Sequence, residues 1–381
     1  MVSRRQIFGA IPALGAIASC ARAAPVAQQP GRGWVVSQSG KILGSDFTGR
    51  AKLDKPRAFN SEAPFRMASI TKLVVAMAIR DWAATGRLDL DAPVADVLPD
   101  TPEGLSLAHL LSHRSGLRDP DVYWADVNTD IRTLFSREDF THPPGTYFRY
   151  ANLGYGLVAT IVEARLGERF DLLVWRWLTR NGFDAGLNWS GMSPRRRKRA
   201  AAAYRQTDGE WAATVDAHVP IVRPVYLGAE ESDLTNYILG TNGTLFSPQG
   251  GMRMSLSDLI RVGELLHKRP DFHAALWTHD DDNGDDEDAH FLAFGPGSYV
   301  YSAEISPLPG VPLIGHLGWA YGVHSGAFIV PGTNISFAFT RLGSGADEAE
   351  MMGQSASRQA NQFTVHQALF DALAPTVLAA L

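Results

Sequence analysis

The hydrophobic period of this chain changes twice, and the order of the changes limits the folds open to it. Residues 33–49, GWVVSQSGKILGSDFTG, alternate apolar and polar side chains about a Ser39-Gly40 turn, the pattern of a β-hairpin. The period then becomes helical. A helix is expected from Ser69 to about Thr85, closed by Gly86. A short amphipathic helix follows in LSLAHLLSHRSGL (105–117), then helices from about Leu153 to Leu166, near Leu172 to Leu178, and after Ser255, where Asp258 completes a capping box. Period two returns late: GSYVYSAEI, VPLIGHLG, VHSGAFIV and TNISFAFTR read as successive strands, and a long C-terminal helix closes the chain. No repeat is visible. One antiparallel sheet assembled from both ends of the chain, flanked by helices, accounts for this order. The expected class is α+β, with the sheet part at about 33–85 and 290–381 and an inserted all-helical region at about 86–289.

With 381 residues, 45% of them hydrophobic, there is ample material for a core. The formal net charge of −5 gives no footprint for nucleic acid. The one dense basic cluster, RRRKR (195–199), runs into alanines and reads as the solvated face of a helix start. HDDDNGDDED (279–288) is acidic, nearly without apolar side chains, and reads as a mobile surface loop. It departs from a calcium loop, because Gly284 at the turn position would put His279 and His290 at the first and last ligand positions.

Residues 1–23 read as an export signal rather than as part of the fold. Ser3-Arg4-Arg5 resembles a twin-arginine start, followed by an apolar stretch too short to span a bilayer comfortably. Ala21-Arg22-Ala23 fits a cleavage site, and Ile17-Ala18-Ser19-Cys20 fits a lipoprotein box that would anchor the chain through Cys20. The expected location is periplasmic or secreted. Cys20 is the only cysteine, so residues 24–381 hold neither a disulfide nor a cysteine metal site.

Three short motifs carry chemistry. The first is Ser69-Ile70-Thr71-Lys72; the second is Tyr150-Ala151-Asn152, after a Pro143-Pro144-Gly145 break; the third is His316-Leu317-Gly318, followed by Trp319. Each alone is weak. A serine at a helix start is commonly a cap, and His109 and His113 read as structural. A helical spacing of three nevertheless puts Ser69 and Lys72 on one face. A serine hydroxyl is a poor nucleophile until a neighbour takes its proton, and a lysine entering an apolar environment loses its own proton more readily. Tyr150 is a second candidate base.

Together, in this order, the motifs resemble the serine β-lactamase and penicillin-binding-protein superfamily, its class C-related branch in particular. The stretches LLSHRSGL, GTYFRYANLGYGLVATIVEARLG and GHLGWAYGVHSGAFIVP support the resemblance, which covers roughly 33–381. It implies a β-lactamase/transpeptidase-like fold and an acyl-enzyme on Ser69. Tyr150 would take the larger share of general-base work, with Lys72 as its partner, and Asn152 would hold Lys72 and the substrate carbonyl. The N–H groups of Ser69 and Trp319 would form the oxyanion hole, and Gly318 would let the strand edge come close. His316 and Leu317 depart from the Lys-Thr-Gly usual in β-lactamases and carboxypeptidases. The histidine makes the local charge titratable, and the leucine removes a hydroxyl expected to help bind a substrate carboxylate. Esterase or peptidase activity therefore ranks above β-lactamase or D,D-carboxypeptidase activity, with a non-catalytic sensor as the rival. The expected partner is a small-molecule or peptide substrate, with no cofactor, no metal and no nucleic acid; membrane contact is expected only through a lipid anchor.

Overall fold

The computed structural model describes residues 28–127, 129–218, 226–227, 230–231, 234–280, 282–285, 291–344 and 355–381. The export signal at 1–23 and its Cys20 lie outside the described residues. The hairpin is β1 (Arg32–Gln38) and β2 (Lys41–Thr48), followed by β3 (Phe65–Arg66) and α1 (Ile70–Ala84). Next come α2 (Leu107–Leu111), α3 (Asn152–Leu166), α4 (Phe170–Arg180), β4 (Gly186–Leu187) and α5 (Pro194–Arg197). The middle continues with β5 (Ala203–Thr207), β6 (Glu210–Val215), β7 (Tyr226–Leu227), β8 (Glu230–Glu231), β9 (Met252–Met254) and α6 (Leu256–His267). The last part holds β10 (Trp277–Thr278), β11 (Ala293–Phe294), β12 (Tyr299–Tyr301), β13 (Leu313–Ala320), β14 (Val323–Val330), β15 (Ile335–Arg341), β16 (Gly343–Ser344) and α7 (Ser355–Leu378).

Strands from both ends build one antiparallel sheet in the order β10-β11-β12-β13-β14-β15-β1-β2. The closing pair is β1 with β15, in register from Arg32↔Arg341 to Gln38↔Ile335. Alternation sorts the side chains to two faces. Ile314, Ala327, Ile329, Ala338 and Val35 join the core shared with α1 and α6. Phe328, Phe337 and Phe339 face Phe370 of α7, with ring centroids 5.0 to 6.1 Å apart. The result is a three-layer α/β/α stack, as the two changes of period require.

α1 is buried on every side from Ile70 to Ile79. A helix apolar all round belongs at the centre of a fold, and this one carries its polar first turn to the junction between sheet and helical layer. α3 ends at Gly167, whose φ of 68° supplies the left-handed cap. The capping box of α6 forms as expected, Ser255 and Asp258 each satisfying the other's backbone N–H.

The inserted region is not all helical. β5 and β6 form a hairpin around Asp208-Gly209, both at positive φ, and β16 pairs with β5 in parallel. β9 pairs with both β3 and β4. Strands of two or three residues are too short to show an alternating period, which is why a helical reading covered them. The Asp-Gly turn was nevertheless a direct hairpin signal.

The acidic stretch also differs from a free loop over its described residues, 279–280 and 282–285. Phe148 N–H donates to Asn283 O, and Asp285 N–H donates to Phe148 O. Tyr147 Oη and Arg149 Nε donate to the Asp285 carboxylate at 2.7 and 2.6 Å. Phe148 stacks on Trp277 with centroids 4.1 Å apart. This clamp fixes the segment that leads into Tyr150.

Candidate active site

Ser69 sits at the N-terminus of α1 with its backbone already helical, and its side chain makes no capping bond. The residue before it, Ala68, has φ 51°. A left-handed alanine costs about 1–2 kcal/mol, and such strain gathers at functional sites. Here it turns the chain sharply from β3 into α1 and leaves Ser69 half-buried beside the sheet edge.

Lys72 is fully buried. Its Nζ donates to Ser69 Oγ at 3.1 Å, Asn152 Oδ1 at 2.8 Å and Gln249 O at 2.7 Å. Two of these partners are oxygens that can only accept, and the third is a hydroxyl that can also give. A charged Lys72 fills all three bonds with its three protons. A neutral Lys72 keeps the two obligate acceptors and turns its lone pair to Ser69 Oγ. Burial pushes the Lys72 pKa down to about 7, with Asp119 partly opposing the shift.

Asn152 is oriented by its own neighbours. Asp119 accepts from Asn152 N–H at 2.7 Å, Leu153 N–H at 2.8 Å and Asn152 Nδ2 at 3.0 Å, which turns the amide oxygen toward Lys72. Desolvation raises the Asp119 pKa, and the bonds from Asn152 and Leu153 oppose that. Sequence reasoning missed Asp119 and the Gln249 carbonyl. No local signal marks either, since Asp119 lies 33 residues ahead of the helix start whose free N–H groups it accepts from.

The Tyr150 ring lies between two aromatic plates, His113 at 4.1 Å and Phe291 at 4.8 Å between centroids. Lys72 Nζ is 4.7 Å from the Tyr150 ring centre. His113 is structural, as expected, yet it shapes the site. It accepts the Ala151 N–H at Nδ1, and burial, then Lys72 and His316, hold its pKa well below the usual value. A neutral ring therefore stacks on Tyr150.

β13 brings up the third motif. His316 is buried, with Nδ1 donating to Leu317 O at 2.5 Å and its ring 6.5 Å from that of Tyr150. Gly318 lets the strand reach the nucleophile segment, since a Cβ there would stand 2.4 Å from Met67 O and 2.5 Å from Ser325 Oγ. Its neighbour Ser325 donates to Met67 O at 3.0 Å and holds the contact. Gly318→Ala should therefore push the strand off Met67 and lower kcat/KM by roughly 100-fold, the scale of an ångström misplacement. Steady-state kinetics on a folded variant check this; a loss under threefold would show that the contact does not set the geometry.

Alternation sends the side chains of Leu317 and Trp319 to the α7 face: Leu317 pairs with Gly326 and Trp319 with His324, whose ring is 5.3 Å from that of His366. Leu317 therefore packs on the α7 face with Phe370, while His316 takes the face turned to Tyr150. Trp319 brings its backbone, not its ring, to the site.

The geometry joins Ser69, Lys72, Asn152, Tyr150 and the β13 edge. A family model described as Beta-lactamase matches residues 18–355. Among curated proteins, the chain is 26% identical over 250 residues to a penicillin-binding protein of Bacillus subtilis, covering 61% of this chain and 51% of that protein. It is 25% identical over 268 residues to esterase EstB of Burkholderia gladioli, covering 62% of this chain and 66% of that protein. The chain thus spans about half to two-thirds of the length of these relatives. Among solved structures, the octameric penicillin-binding protein homologue from Pyrococcus abyssi shares the fold, with TM-score 0.62 and 20% identity over 90% of this chain and 74% of that one. The family match takes in all three motifs and the strands that bring them together, and the chain belongs to the β-lactamase family.

Proposed function

We propose that this protein is a serine hydrolase that transfers an acyl group from an ester or amide to Ser69 and then to water. The observation that carries this reading is the buried Lys72 amine, 3.1 Å from Ser69 Oγ and held by two obligate acceptors. The neutral amine takes the Ser69 proton as Oγ attacks the acyl carbon. The backbone N–H groups of Ser69 and Trp319 receive the oxyanion, usually the largest single contribution. Tyr150 passes a proton to the departing alcohol or amine as the acyl bond breaks. A water then attacks the acyl-enzyme and gives a proton to Tyr150, and Lys72 returns its proton to Ser69 Oγ as the acyl bond to the serine breaks, which releases the acid and restores Ser69, Lys72 and Tyr150. The Lys72 contact supports a larger basic role for the lysine than the motif order alone suggested, with Tyr150 as the group facing the leaving side. The pattern of residues 3–23 supports a further proposal, that the enzyme works outside the cytoplasm.

The test uses the full chain with p-nitrophenyl acetate and a chromogenic cephalosporin. The expected result is a burst followed by turnover on the ester, with the added acyl mass on the peptide holding Ser69. Acylation without turnover would favour a sensor. Turnover of the cephalosporin ahead of the ester would restore the β-lactamase reading. Acyl mass on another residue would remove the proposal.

A further inference from the structure

β3 and β9 place two arginines on one face, Arg66 opposite Arg253. Arg253 is neutralised. Asp216 accepts from its Nε at 3.2 Å and Nη2 at 2.7 Å, and Asn188 Oδ1 accepts from Nη1 at 2.9 Å. Arg66 has no such partner. It is only 9% exposed, its Nε has no hydrogen bond, and among the described residues no carboxylate lies within ion-pair distance of it. Its guanidinium rests 4.7 Å from the centre of the Tyr321 ring. The charged or ionisable groups facing it are Arg253, Asp216, Tyr321 and Tyr123. Asp216, already bidentate to Arg253, is the one acid among them, so among the described residues the pocket carries an uncompensated positive charge. Burying a charge without a partner is expensive; an arriving anion would offset that cost.

The place of this charge is informative. Arg66 is three residues ahead of Ser69, and Tyr321 is the turn residue just past β13. Tyr321 has φ 57°, its carbonyl accepts from Thr214 Oγ1, and the residue is 44% exposed. It stands five residues beyond His316, about 16 Å along an extended strand. Tyr150, to which the serine-hydrolase reading gives the leaving group, lies at the His316 end, with 6.5 Å between the two rings. An acyl carbon on Ser69 therefore directs its leaving group toward His316 and its acyl substituent toward Tyr321 and Arg66.

We propose that Arg66 and Tyr321 form a carboxylate-binding subsite for the acyl side of the substrate, which makes half-esters or half-amides of dicarboxylic acids the favoured class. The planar guanidinium suits a carboxylate through paired N–H bonds, and the Tyr321 ring covers it from solvent. This rests on the serine-hydrolase reading above.

The experiment compares kcat/KM for mono-p-nitrophenyl glutarate and p-nitrophenyl valerate, acyl chains of equal carbon number with and without a terminal carboxylate. The intact protein should favour the glutarate by about 10-fold or more, the scale of one charge-assisted contact. Arg66→Gln should lower that ratio by about 10- to 100-fold, and Arg66→Lys should retain part of the preference. If Arg66→Gln does not fold, Tyr321→Leu should lower the same ratio, and the ratio of the intact protein still decides. A ratio of one or less in the intact protein, or a ratio unmoved by the substitutions, overturns the subsite and leaves the hydrolase reading standing. If neither ester is turned over and a neutral serine-directed phosphonate fails to label Ser69, the hydrolase reading falls and takes the subsite with it.

Discussion

A Ser69→Ala chain keeps its fold and loses hydrolysis, with kcat/KM against a p-nitrophenyl ester falling by about 10⁴-fold or more, as when a serine nucleophile is removed elsewhere. Ser69 contributes little to the architecture. Its side chain caps no helix, and its one described bond is the one from Lys72, which keeps Asn152 Oδ1 and Gln249 O when the hydroxyl is gone. The melting temperature should therefore change by only a few degrees while labelling by a serine-directed phosphonate vanishes. Intact-mass analysis after labelling, beside a thermal melt, makes the measurement. Turnover within tenfold of the unmodified protein would mean that the reacting group is not Ser69.

Lys72→Met should lower kcat/KM by about 10³- to 10⁴-fold, since the variant retains the oxyanion donors but no amine near the hydroxyl. The pH profile adds a second readout. Burial pushes Lys72 down to about 7, so the basic form grows as pH rises through that value. For the intact protein, kcat/KM should climb through about pH 7 and then level, and that limb should be missing from the residual activity of the variant. A profile that falls above pH 7 would instead make the charged amine the active form. Stability should respond as well. The folded state releases this proton near 7, while the unfolded chain holds it to the ordinary 10.5. Between these values the unfolded state binds more protons, so this group adds stability as pH rises and withdraws it fully below 7. The melting temperature of Lys72→Met relative to the unmodified protein should accordingly be more favourable at pH 6 than at pH 9.

The parts of this molecule that could be read in the sequence are those with a local period or fixed spacing. Ser69 and Lys72 share a helix face, and their contact follows from the helix alone. The hairpin β1–β2, the capping box of α6 and the late strands all have signatures within ten residues. What escaped reading depends on pairing across the chain. Asp119 orients Asn152 from 33 residues away, and Gln249 O meets Lys72 across 177. Asp285 reaches Arg149 across 136 residues, so composition showed its charge and not its use. The face that Leu317 takes escaped for another reason: a single residue's step along a strand reverses the face presented. Arg66 carried no signal at all, because what distinguishes it is the partner it lacks.

The pairing of β1 with β15 has a consequence for biosynthesis. Residue 32 must wait for residue 341 before the sheet can close, and β13, which carries His316 and Gly318, is internal to that sheet. Such high contact order slows folding. A nascent chain emerging from the ribosome would expose α1 with Ser69 and Lys72 long before β13 has been translated. The proposed site, which needs α1, α3 and β13 together, can therefore assemble only late in synthesis.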